Sequence, residues 1–163
     1  MEYSVSRGVF PFVASRNMAV RRDAALAIGG WSEDMPTAED MDFCHRLLRQ
    51  FPTEIIHQPT ALLFHRDRRS DAGLFYQAWT YGQGLAHMYH RYPDVARWDV
   101  STSLRLARTL AIRFSSSVVL RVRQHLSLVS HGRAEFAAYH WLWSWWYWRG
   151  FFSRYRHKER REP

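Results

Sequence analysis

The 163-residue chain has little of what staples or exports a protein. Its single cysteine, Cys44, excludes an intramolecular disulfide and any cysteine-rich zinc site, and fits a reducing compartment. The first seven residues, Met1 to Arg7, lack the basic stretch and apolar run of a secretory signal, so a cytoplasmic location is expected. No internal repeat and no low-complexity linker interrupts the chain. The longest aromatic stretch without a formal charge, Phe136 to Trp148, has 13 residues, well short of the ~20 that a spanning helix needs. What is present argues for a folded domain: 47% hydrophobic and 16% aromatic residues can bury a core, and the length suits one domain.

Acidic residues are scarce in one part of the chain only. Residues 1–100 carry 11 Lys+Arg against 12 Asp+Glu, whereas residues 101–163 carry 12 against 3. The net +8 therefore belongs to the tail, and a nucleic-acid partner, which would need a basic face on the first region, is not expected. Aromatics divide the same way, with five of the eight tryptophans between Trp141 and Trp148. Two regions follow, 1–93 and 94–163, the second basic, aromatic and helical.

In the first region, Gly8 to Ala14 is a short apolar run that reads as a strand, with Pro11 placing it at an edge or bulge. Arg21 to Ile28 reads as a short helix stopped by Gly29-Gly30. Thr37, as N-cap, opens a helix in which Phe43, Cys44, Leu47 and Leu48 recur at helical spacing, while Asp42, His45, Arg46 and Arg49 occupy its far face. Glu54–His57 and Ala61–His65 lean to strand. Asp71 to about Tyr92 is helical, interrupted at Gly82 and Gly84 and closed by Pro93.

The side chains capable of chemistry each have a plain structural use. Glu39 and Asp40 suit a helix start through the helix dipole. Asp40-Met41-Asp42 spells a metal-binding pattern, but residues two apart on a helix point about 200° apart and do not easily converge on one ion. Taken in order, Asn17 to Asp23, Gly29-Gly30-Trp31, Glu39-Asp40-Met41-Asp42-Phe43-Cys44-His45-Arg46-Leu47, and Pro59 to His65 resemble the C-terminal half of an inverting family 2 glycosyltransferase. The likeness continues through Phe75 to Gly84 and covers about residues 8–93.

The resemblance implies an α/β fold: the C-terminal part of a GT-A-like nucleotide-sugar transferase, followed by two or more amphipathic helices, helix-rich overall. It implies Asp40 as general base, with Glu39 beside it, because an acceptor hydroxyl is a poor nucleophile until a carboxylate takes its proton. His65 maps to a position that completes coordination of Mg²⁺ or Mn²⁺ on the donor's diphosphate. Asn17, Gly29, Gly30 and Trp31 would line the substrate side, with the indole against a sugar face. Arg66, Arg68 and Arg69 would reach diphosphate oxygens or form a solvated loop. An intact member has a preceding half with parallel strands and an Asp-x-Asp motif. The chain therefore reads as a truncated product, a late start or one piece of a split bacterial-type enzyme, the last of which would place the nucleotide-binding half on another chain. Alone it is expected to be inactive. The Gln-x-x-Arg-Trp motif of processive synthases is absent from the sequence, which points to single-sugar addition in the intact relative.

In the tail, Leu104, Ala107, Ala111, Phe114, Val118 and Val122 follow steps of three and four, a basic amphipathic helix. Trp141, Trp145, Trp148, Phe152 and Tyr155 make a second stripe flanked by arginines. This mixture suits an anionic lipid interface, so contact through residues 101–161 with the inner face of the cell membrane is expected. Two functions stand: a glycosyltransferase part taking nucleotide-sugar and acceptor, or a non-catalytic membrane-associated scaffold.

Overall fold

Local signals decide most of the helix boundaries. The computed structural model describes residues 5, 6, 9–64, 66 and 68–159, with 5, 6 and 157–159 described by backbone alone. Helix α1, Arg22–Ala27, ends in the paired hydrogen bonds of a Schellman turn: Gly29 N–H donates to Leu26 O and Gly30 N–H to Ala25 O. Both glycines sit at positive φ, +79° and +69°, which side chains disfavour. Helix α2 is Glu39–Gln50 and α3 is Asp71–Arg91, the latter capped by the Ser70 hydroxyl accepting from Gly73 N–H. Helix α4, Val100–His125, is capped by Asp99, whose carboxylate accepts from Thr102 N–H at 2.6 Å. Helix α5 is His131–Glu159.

The expected α/β fold does not form. Among the described residues the strands are β1, Val5–Ser6, and β2, Phe12–Val13, an antiparallel pair with Val5 opposite Val13 and Ser6 opposite Phe12. There is no parallel sheet among them, and the helix-rich architecture does not fit a GT-A-like fold. Glu54–His57 and Ala61–His65 are expected as strands, but residues 54–57 and 61–64 form no ladder, and His65 lies outside the described residues. Pro52 and Pro59 remove donors around them, short turns hold Ala61 and Leu62, and the Ala61 carbonyl is taken by the Asn17 side chain at 2.9 Å.

Helix α3 is continuous rather than interrupted at Gly82 and Gly84. Gly82 is instead a contact point: a Cβ there would lie 1.8 Å from Tyr147 O, and one on Gly150 would lie 2.0 Å from Trp79 O. The two glycines let the backbones of α3 and α5 touch, which makes this the most extensive helix pair of the fold. Helix α4 packs beside α5 as the other arm of a helical hairpin.

Two differences from expectation concern α2. Thr37 does not cap it: its hydroxyl donates to Thr80 O of α3, and Ala38, at φ +65°, holds the cap position without a side-chain bond. The face expected to be the far one buries Asp42 and His45 as completely as Phe43 and Cys44, half-buries Arg46 and leaves Arg49 exposed. It meets a small core of Phe10, Met35, Met88 and Ala96, with Tyr89 and Tyr92 packed around it. Hydropathy spacing marks one face of a helix, but α2 is covered on two.

Candidate functional site

Helix α2 is the hub on which the predicted residues gather. Asp42, fully buried, accepts from Ser32 Oγ (2.5 Å), Tyr92 OH (2.6 Å) and Arg46 Nε (2.8 Å), and Arg91 Nε lies 3.3 Å away. Burial pushes its carboxyl up, but the donors from Ser32, Tyr92 and Arg46 outweigh burial and hold it below the usual carboxylate range. Burial, then the bond to Asp42, pushes the Tyr92 phenol up, so it stays a donor.

Arg46 carries the same network to the turn after α1. Its two terminal nitrogens donate to Ile28 O at 2.6 Å and Gly30 O at 2.8 Å. Trp31 stacks on Phe43, ring centroids 4.3 Å apart, and remains 45% exposed. The turn from Ile28 to Trp31 is therefore fastened to α2 by charge-assisted bonds at Ile28 and Gly30 and by a ring contact at Trp31.

Glu39 and Asp40 are half-buried in the first turn of α2. The Asp40 carboxylate accepts from Ser15 N–H at 3.2 Å and Met41 N–H at 2.8 Å and forms no ion pair among the described residues. One turn further along the same side, Cys44 lines an open cavity of about 1250 Å³, together with Asn17, Leu47, Leu48, Ile55 and Leu62. Glu39, Asp40 and Trp31 stand outside that lining. Burial pushes the Cys44 thiol up, which makes it a poor nucleophile.

The remaining predicted residues are not drawn into this cluster. Arg66, Arg68 and Arg69 are exposed on the segment before α3. His65 lies outside the described residues. Among the described residues no group of three or more His, Cys, Asp or Glu is arranged to hold a metal ion, and Asp42 is committed to Ser32, Tyr92 and arginine. The positioning roles of Ser32 and Tyr92 were missed in the sequence. Only the Asp42 to Arg46 spacing, an i,i+4 pair, signalled the network.

Comparisons with protein-family models, with curated proteins and with solved structures found no match to this chain.

Proposed function

We propose that the chain supplies the acceptor side and general base of a sugar transfer from a nucleotide-sugar to a hydroxyl. The observation that carries the reading is the division of labour on α2: Asp42 is locked in an ion network, whereas Asp40 sits in the first turn without an ion pair among the described residues. The locked carboxylate fixes the helix and the Gly29-Gly30-Trp31 turn. The other keeps lone pairs for an acceptor.

In this reaction the acceptor oxygen bonds to the anomeric carbon as the bond from that carbon to the diphosphate breaks. Asp40 takes the hydroxyl proton during attack. Trp31, held on Phe43, offers its face to the apolar side of a sugar ring. The test is incorporation of labelled sugar by extracts of cells overproducing the chain, supplied with a panel of nucleotide-sugars. Incorporation above the empty-vector level is expected with the natural chain and not with Asp40→Asn. Equal incorporation with both removes Asp40 from the role of base.

A further inference from the structure

The two amphipathic stripes of the tail differ in what covers them. The later part of the aromatic stripe of α5 packs against the rest of the protein, since Trp98, from the loop before α4, lies 5.6 Å from Trp148, 5.2 Å from Phe152 and 6.3 Å from Tyr155, whereas Trp145 stays 47% exposed. Helix α4 turns the opposite way. Leu106, Leu110, Ser117, Leu120 and Gln124 form its more buried side, with Arg113 bonded to Ser144 of α5. The stripe Leu104, Ala107, Ala111, Phe114, Val118 and Val122 is exposed, Leu104 by 66% and Phe114 by 50%.

Apolar side chains in a row on the outside of a helix some 39 Å long, at 1.5 Å per residue, call for a covering partner. The charges around the row say which kind. No Asp or Glu occurs from Val100 to Ala134, a stretch that holds six arginines. Arg108 borders one side of the row and Arg121 the other, while Arg105 and Arg123 lie further round the helix; all four are exposed. A second copy pressed against this face would set arginine against arginine. An anionic lipid surface supplies the missing negative charge and takes the apolar row below the headgroups, while long arginine stems reach back to phosphate. Phe114 meets Trp141 at 5.3 Å, and Trp141 meets Trp145 at 5.8 Å, so the row continues onto indoles suited to the same boundary. No described helix is long and apolar enough to cross a bilayer, which agrees with a helix lying in the surface.

We propose that the outer face of α4, with Trp141 and Trp145, is an in-plane docking surface for an anionic membrane. The face is separate from α2, and the proposal stands or falls independently of sugar transfer.

The purified full chain is mixed with vesicles of phosphatidylcholine alone or with phosphatidylglycerol, and binding is read by co-sedimentation. Binding is expected with phosphatidylglycerol, weaker by about tenfold or more without it, and reduced by added salt. The double variant Phe114→Asp and Val118→Asp, both at exposed positions, should lose binding by about tenfold or more while keeping its helical circular dichroism. A second measurement avoids any question of misfolding. Val118→Cys carries an environment-sensitive dye, Cys44 being buried, and the dye emission should shift to the blue when anionic vesicles are added. Failure to bind phosphatidylglycerol vesicles overturns the proposal. So does a dye shift that rises with protein concentration without lipid, accompanied by sedimentation as a dimer, which would make the face a contact between copies. A face occupied by an acidic protein would appear as unaltered lipid binding in the double variant, which overturns the proposal as well.

Discussion

At the scale of residues, neighbouring positions of one helix have opposite fates. Asp42 enters the core charged because Ser32, Tyr92, Arg46 and Arg91 meet it, and removing one partner of such a network leaves a buried charge uncompensated. Asp42→Asn should lower unfolding free energy by about 3 kcal/mol in denaturant titrations. The folded carboxyl titrates below its ordinary value of 3.8, so the folded state binds fewer protons there than the unfolded one. Its contribution is complete above that value and is lost as pH falls through the lowered one. His45 behaves similarly at higher pH. Its Nε2 is buried without a hydrogen-bond partner among the described residues, and burial, then the Arg49 charge, pushes the imidazole below 6.5. Stability should fall as pH drops from 6.5 toward the lowered value, and His45→Phe should flatten that limb of the stability profile. An unchanged slope in the variant would assign the proton uptake to another group.

At the scale of elements, helices were more legible than strands: the apolar run Gly8 to Ala14 holds β2, but two other strand-like runs form no ladder among the described residues. Apolar spacing and capping residues are local, and they place α1 to α3 close to where they form, while in the tail they mark stripes that fall inside α4 and α5 without giving their ends. Thr37 shows the limit of that reading: a good cap by type, it is drawn to Thr80 O by the packing of α3 beside it. The runs 54–57 and 61–64 have strand composition, but a strand exists only with a neighbour to pair with, and among the described residues none lies alongside. Gly82 was read as an interruption because propensity scores a glycine by its own helix and not by the helix crossing it. Gly82→Ala should therefore destabilise the fold by about 2 kcal/mol or more, despite the better helix propensity of alanine, because the added carbon meets Tyr147 O. Gly132→Ala, where nothing lies within 4 Å, is the control and should be neutral or gain at most about 1 kcal/mol. Equal thermal shifts for the two variants would contradict the close contact of α3 with α5.

At the scale of the whole molecule, charge and shape separate two faces. The first turn of α2, with Glu39, Asp40 and the fastened Gly29-Gly30-Trp31 turn, gathers part of the motif that the sequence spells. Arg66, Arg68 and Arg69 stay apart from it on an exposed segment. The α4 side gathers arginines and apolar side chains, and the sequence showed the stripe without showing which way it faces, since that depends on which side of α4 packs on α5. The central claim is that α2 divides its carboxylates between structure and chemistry. Its most direct measurement is sugar incorporation per folded molecule for Asp40→Asn, in extracts that are active with the natural chain, alongside the melting temperature of the purified variant. The account predicts turnover lower by about 10²–10⁴ with stability changed by no more than about 1 kcal/mol. Near-normal turnover, or a loss of stability as large as that of Asp42→Asn, would contradict it.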